Sequence, residues 1–449
     1  MTAHHAMQSL LRISKSVMTS SPKCVSPISA APRVPIPKNG VDYRNKIVLA
    51  PMVRSGELPS RLLALHYGAD LVWGPETIDK AMIGTTRRVN PRTSCIEWTR
   101  LSSNGQKAHE RVGLQKESVI YRVDPQREQG KLIYQIGTSD PELAVQAAKL
   151  VAGDVSGIDV NAGCPKPFST SGGMGAALLR TPDKLAGILE ALVEQVGKVW
   201  EIGISVKIRL LETPEMTEAL VRRLCKTGIT GLTIHCRTTP MRPRERAVRE
   251  QLRMIGEVCK EHGVACLMNG DVKDRDQGVD LAKEYGVDGG MIATAAEANL
   301  SVFRTKAQGG LAPWREVVTE YLKLAMSVEN KAGNTKFLLS QLMPTKDPLY
   351  QPVQMSKSYQ QCCDVLGMDA EMIARAKEVD EILGIDAQGP KQQQQQQSSK
   401  KNKNKRALEA GTNARPDATI NNKKQKPQVQ PELASRSEFD SLGQLALAV

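Results

Sequence analysis

Eight short apolar runs, rich in valine, isoleucine and leucine, recur along the middle of this chain, at residues 46–50, 70–73, 131–136, 157–160, 204–208, 231–234, 265–268 and 289–292. Each has the length of a strand rather than of a buried helix, and most are separated by a segment of helical pattern. Thr181, Pro182 and Asp183 read as the cap and first turn of one such helix, and Thr213, Pro214 and Glu215 as those of another that ends near Gly228. Residues 141–151 make a third. Strands that alternate with helices pair in parallel, because a crossover helix returns the chain to the same end of the sheet. Eight such units predict a (β/α)8 TIM barrel, an α/β fold, over residues 42–312. Residues 74–130 are too many for one crossover and have to carry inserted structure.

Beyond the barrel the period changes. Trp314, Val317, Val318, Tyr321, Leu322 and Ala325 recur at helical spacing, as do Met372, Ala376, Val379 and Leu383. A small α-helical domain is predicted at 313–386, with a structural cap on the barrel as the alternative. The two ends differ from everything between them. Residues 1–41 carry Arg12, Lys15, Lys23, Arg33 and Lys38 and no acidic residue, and read as a disordered or targeting extension. Residues 387–449 hold six consecutive glutamines at 392–397 and then Lys400, Lys401, Lys403, Lys405 and Arg406. They read as a low-complexity basic tail, too polar to bury a core.

The formal charge of +13 is therefore concentrated in the tails, as suits a polyanionic partner such as RNA. A solubilising or targeting role for the tails is the alternative. Aromatic residues are only 4% of the chain, which argues against a surface that stacks rows of bases. No apolar stretch approaches the roughly 20 residues of a membrane helix, so no membrane partner is expected. The nine cysteines show no zinc-ligand spacing, and reduced thiols in the cytoplasm or nucleus are the simpler reading. The basic, acid-free start also fits a mitochondrial address. A monomer is expected.

The chemistry-bearing residues follow the strands. Pro51, Met52 and Val53 follow the first, Gln135 ends the third, and Lys207 ends the fifth. His235 ends the sixth, Asn269, Gly270 and Asp271 the seventh, and Ala293 and Thr294 the eighth. After the fourth strand comes Asn161 and then Cys164, with Pro165 behind it and a loop holding Gly172, Gly173 and Gly175. In a barrel all of these loops gather at one rim. A lysine and a histidine can stabilise an anionic heteroaromatic ring, and an amide such as Gln135 or Asn269 can bond a carbonyl–imide edge. Gly270 and the small residues Ala293 to Ala296 fit a phosphate cradle. Together these describe a flavin mononucleotide (FMN) site. Taken singly, His235 reads more readily as a structural histidine than as a ligand, and Asn269-Gly270-Asp271 could be only a turn. No Gly-x-Gly-x-x-Gly follows an early strand, so a Rossmann dinucleotide domain is not indicated.

At these residues the sequence resembles the tRNA-dihydrouridine synthases, in particular the eukaryotic subfamily acting on position 20 of the tRNA dihydrouridine loop. The stretches are LAPMVRSGELPSRLLALHYGADLVW at 49–73, YQIGTSDPE at 134–142, GIDVNAGCPKPFSTSGGMGAALL at 157–179, VKIRLL at 206–211, IHCRT at 234–238, NGDV at 269–272 and GMIATAA at 290–296. The resemblance implies that Pro51, Met52 and Val53 pack on FMN, that Gln135, Lys207 and His235 contact it, and that Asn269, Gly270, Asp271, Ala293 and Thr294 hold its phosphate. It implies NADPH as reductant, tRNA as substrate and Cys164 as proton donor, with the target uridine flipped out of the RNA. Two features depart from the family. Cys236 stands after His235 where glycine is common, and the low-complexity tail replaces the double-stranded-RNA-binding domain of the animal members. The competing readings are an FMN barrel dehydrogenase of a free pyrimidine, and an RNA-binding protein without catalysis.

Overall fold

The computed structural model describes residues 33–101, 117–242 and 244–385. Most of the extension at 1–41 and the whole tail at 387–449 lie outside the described residues. In chain order the described strands are β1 (Lys46–Leu49), β2 (Val72–Trp73), β3 (Thr77–Ile78), β4 (Thr86–Val89), β5 (Ile96–Leu101), β6 (Glu117–Val123), β7 (Leu132–Gly137), β8 (Gly157–Ala162), β9 (Gly203–Arg209), β10 (Gly231–His235), β11 (Ala265–Asn269) and β12 (Gly289–Ile292). β1 pairs with β2, β2 with β7, and the pairing continues through β8 to β12 and back to β1, every pair parallel. All eight predicted runs are staves of this closed barrel, with bounds that differ by at most two residues.

The two-residue period of a strand divides its side chains between two cores. Ile47, Leu49, Tyr134, Ile136, Ile158, Val160, Ile204, Val206 and Ile208 join the core between the sheet and the surrounding helices. Val48, Ala50, Trp73, Ile133, Leu267 and Met291 form a separate cluster inside the barrel. The same alternation assigns Gln135, Asp159, Asn161, Ser205, Lys207, His235 and Asn269 to the inner face. Tyr43 plugs the bottom, its ring centroid 5.7 Å from that of Trp73. A Cβ at Gly231 would come within 2.6 Å of the tyrosine ring, so the first residue of β10 has to be glycine for the plug to fit.

The helices between strands begin as their sequences imply, with one difference. Asp140 caps Pro141–Val151 and Thr213 caps Pro214–Cys225 through side-chain acceptors. Thr181 precedes Pro182–Leu192 but makes no such bond, because its hydroxyl turns back to the Leu178 carbonyl.

The insertion at 74–130 contains β3, which lies along β7, and a three-stranded antiparallel sheet of β4, β5 and β6. Its buried face packs on the barrel through Trp98, whose Nε1 donates to the Leu150 carbonyl at 3.0 Å, and through Tyr121, edge-on to Tyr134. Arg61, on the helix Leu58–His66, is fully buried. Its Nε donates to Glu128 at 2.6 Å and its Nη2 to the Arg122 carbonyl at 2.7 Å, which joins the first barrel helix to the insertion.

After the barrel come helices Trp314–Ser327, Ala332–Leu342, Tyr350–Met355, Tyr359–Leu366 and Ala370–Leu383. Val317, Val318, Tyr321, Leu322 and Ala325 are buried, as are Met372, Ala376 and Val379, while Trp314 and Leu383 pack at the margin. Arg54, just past β1, holds its guanidinium 4.0 Å over the Phe337 ring, and Asn334 donates to Glu57. The helical segment is thus fastened to the loop after β1.

Removing one partner of a buried pair leaves an uncompensated charge, whereas an exposed pair is screened by water. Glu128→Ala is expected to destabilise the fold by about 3–5 kcal/mol in denaturant titration. Glu194→Ala, which removes the exposed partner of Lys198, is expected to leave the midpoint where it was.

Candidate active site

The inner face of the barrel is organised around one carboxylate. Asp159, on β8, accepts from Gln135 Nε2 at 2.8 Å and from Ser205 Oγ at 2.7 Å. Burial pushes its pKa up to about 6, against the pull of those two hydrogen bonds and of Lys207. Lys207, one strand over, is pressed the other way, to about 8, by burial and by Arg209, with Asp159 opposing. Among the described residues Lys207 has no hydrogen-bond partner, so its ammonium is free to serve a ligand. Because the Gln135 amide nitrogen is committed to Asp159, its Oε1 is the atom left over. Asn269 is in the same position, since its Nδ2 donates to the Met291 carbonyl at 2.9 Å and its Oδ1 remains.

His235 is level with Arg209 on β9 and with Asn269 on β11. Burial, together with Lys207, Arg209 and Arg237, lowers its pKa to about 2. Arg237 Nη1 lies 3.3 Å from Nε2. A guanidinium only donates, so Nε2 is the acceptor and the proton of the neutral ring sits on Nδ1.

The turn after β11 is built for close approach. Gly270 has φ +120°, and a Cβ there would sit 3.2 Å from Ala247 and 3.5 Å from the His235 ring. Asp271 follows at φ +51°. Its carboxylate accepts from Arg237 Nη2 at 2.6 Å and from the Ala247 N–H at 2.7 Å. Burial alone would raise the Asp271 carboxyl, but these bonds outweigh it and hold the pKa below the usual range. What Asp271 offers an anion is therefore the arginine that it orients, not its own side chain. Arg249 donates to the Gly270 and Asp271 carbonyls at 2.7 and 3.1 Å, and its buried Nε has no partner.

Cys164 is held in place by the hydrogen bonds of its loop. Asn161 Oδ1 accepts from the N–H groups of Gly163 and Cys164 at 3.0 and 3.1 Å, Arg209 Nε donates to the Gly163 carbonyl at 2.7 Å, and the Cys164 carbonyl accepts from Ala176 N–H at 2.9 Å. Cys164 is half-buried, while the other seven described cysteines are buried. Burial, then Glu76, raises its pKa, so the group present is the thiol. Pro51, Met52 and Val53 lie half-buried after β1; Ala293 follows β12, and Thr294 opens the short helix Thr294–Ala298. All of these occupy the C-terminal end of the barrel. Among the described residues no cluster could hold a metal ion, and no helix is long and apolar enough to cross a membrane.

The sequence-level reading passed over five residues that the fold brings here: Glu76, Asp159, Arg209, Arg237 and Arg249. Asp159 was legible as the charge inside an apolar strand and on the same face as Asn161. Arg237 and Arg249 lie in the loop that His235 opens.

The depressed His235 pKa carries a sign. Below the ordinary value of about 6.5 the unfolded chain binds a proton that the folded chain refuses, so this group's contribution to stability falls as pH drops below about 6.5. His235→Asn is expected to show a shallower loss of thermal stability than the unmodified chain between about pH 7 and pH 5. Imidazole NMR shifts of His235 should stay those of the neutral ring throughout that range.

A sequence model of the family described as Dihydrouridine synthase (Dus) matches residues 48–347. A Schizosaccharomyces pombe protein described as tRNA-dihydrouridine(20) synthase (NAD(P)+) is 50% identical over 325 residues, 71% of this chain and 64% of its own length. A Saccharomyces cerevisiae protein of the same description is 45% identical over 331 residues, 73% of this chain and 84% of its own. A second S. pombe protein, described as tRNA-dihydrouridine(20a/20b) synthase (NAD(P)+), is 29% identical over 256 residues, 57% of this chain and 68% of its own.

Proposed function

Because the chain belongs to the dihydrouridine synthase family, we propose that it reduces a uridine of the tRNA dihydrouridine loop, at position 20, to 5,6-dihydrouridine, with FMN as cofactor and NADPH as reductant. The observation that carries the reading is the Cys164 loop, which presents a protonated, half-buried thiol at the same barrel mouth as the free groups of Gln135, Lys207, His235 and Asn269. That set fits the pyrimidine edge of a flavin. Gln135 Oε1 and Asn269 Oδ1 accept from an imide N–H, while the Lys207 ammonium and the His235 Nδ1–H donate to carbonyl oxygens. The unpartnered Nε of Arg249 and the guanidinium of Arg237, beside the Gly270 turn, fit a phosphate; Ala293 and Thr294 close that corner. Pro51, Met52 and Val53 supply a wall.

When bound, the flavin would supply the hydride that reaches C6 of the uracil. The chain's own part is to hold, orient and protonate. Cys164 gives its proton to C5 as electron density builds there, a step that needs one acid at a fixed place. Neutral His235 donates without adding charge to a corner already held by Lys207 and Arg209. The exposed Arg242, Arg244 and Arg246, on the loop after β10, and the helical segment 314–383 provide a surface for the RNA backbone.

Cys164→Ala is expected to retain FMN and its reduction by NADPH, and to lose about 10²–10⁴-fold in dihydrouridine formation on unmodified tRNA. Near-normal turnover would remove Cys164 from the mechanism. Equal turnover on free uridine or uracil would move the assignment to a dehydrogenase of free pyrimidines, and a protein purified without flavin would move it to RNA binding alone.

A further inference from the structure

The loop after β2 carries Glu76 to the same end of the barrel as Cys164. Its carboxylate accepts from Ser169 Oγ at 3.2 Å, and the Asn161 side chain beside it favours the charged form. The Oδ1 of Asn161 is already committed to the N–H groups of Gly163 and Cys164, so its amide nitrogen is the group left to face Glu76. Ser169 is buried on the returning limb of the Cys164 loop, where its carbonyl accepts from Met174 N–H at 3.1 Å. The end of β7 walls the carboxylate in, since a Cβ at Gly137 would come within 2.5 Å of Oε1. Glu76 is half-buried, and among the described residues it has no ion-pair partner. Burial raises its pKa, with Asn161 and Ser169 opposing, so a carboxylate held here without a cation calls for a reason.

The charges around the thiol supply one. Burial does most to keep the Cys164 proton on and Glu76, the acidic group nearby, adds to it, while Lys166 and Arg209 draw the proton off and Lys207 stands near the same sulfur. A thiol among cations alone tends to thiolate, which has no proton to give. We propose that Glu76 is a positioning residue for Cys164, which anchors both limbs of its loop through Asn161 and Ser169 and keeps the thiol protonated against the surrounding cations. The proposal rests on the reading of Cys164 as proton donor. In that step the S–H bond breaks as the C5–H bond forms, the electron pair stays on sulfur, and the thiolate regains a proton from solvent.

Alkylation of Cys164 by iodoacetamide, followed by the mass of its peptide in the full chain, tests this without flavin or tRNA. Glu76→Gln keeps a hydrogen-bond acceptor and removes the charge. Its alkylation midpoint is expected at lower pH than in the unmodified chain. At a fixed pH below both midpoints, the rate rises roughly tenfold for each unit moved. Glu76→Ala is expected to move in the same direction and, because the loop is released, to raise the limiting rate at high pH as well. Superimposable profiles for the unmodified chain and Glu76→Gln overturn the electrostatic role, and an unchanged limiting rate in Glu76→Ala overturns the anchoring role. Either failure leaves the Cys164→Ala result standing, whereas full activity of Cys164→Ala would remove the proton donor without altering these profiles.

Discussion

All eight barrel strands run in one direction, and that polarity governs the rest of the molecule. A parallel stave delivers the residue after its C-terminal end to one rim, whatever the sequence distance between staves. Asn161 and Lys207, 46 residues apart, become level neighbours across β8 and β9, and His235 and Asn269 across β10 and β11. The opposite end cannot share the work, because Tyr43 and Trp73 fill it with ring. Polar groups on the inner face therefore have two options. They bond one another below the mouth, as Gln135 and Ser205 do with Asp159, or they keep an atom in reserve at the mouth, as Gln135 and Asn269 do.

Charge at the rim is unbalanced by design of the sequence. Lys207, Arg209, Arg237 and Arg249 meet Asp159, Asp271 and Glu76, and each acid is tied to a definite partner. The surplus is visible in its effect on neighbours: Lys207 is driven down to about 8 and His235 to about 2, burial first and the nearby cations after it. Such crowding is unfavourable in the empty barrel and is relieved by an anionic ligand, so affinity for an anion is stored in the folded chain itself. A site assembled for a neutral ligand would have no use for three arginines within one corner.

The barrel was legible because its staves are apolar on both faces near the bottom and the helices between them open with proline and a capping residue. The insertion was legible only as a stretch too long for one crossover, not in its strands. β4 reads Thr-Arg-Arg-Val and is exposed throughout, and β5 alternates Glu97 and Thr99 with Ile96 and Trp98, all four buried. Its pairing is held in part by Arg88 and Arg122 on Glu97, ion pairs that no periodicity announces. At the site, residues at strand ends were found because position in a barrel implies the rim. Asp159 was missed because it lies within a stave, and the Arg237–Asp271 pair because it joins two different loops, 34 residues apart, that only the neighbouring of β10 and β11 brings together. The resemblance implied Asp271 as a phosphate holder; its carboxylate is bonded to Arg237 and to the Ala247 N–H.

The mouth is also where three parts of the chain are joined. Gly56, in the loop that carries Pro51, Met52 and Val53, accepts from Arg61, which in turn binds Glu128 and the β6 backbone of the insertion. On either side of it in the same loop, Ser55 bonds Glu297 beside the β12 end, and Glu57 bonds Asn334 of the helical segment. A loop pinned from three sides cannot shift without moving its anchors. On the proposed reading, RNA lying on the helical segment is thereby held in register with the wall that faces the flavin. A change at Phe337 or Asn334, far along the sequence, then acts on the cofactor side of the mouth through Arg54 and Glu57 rather than on RNA affinity alone.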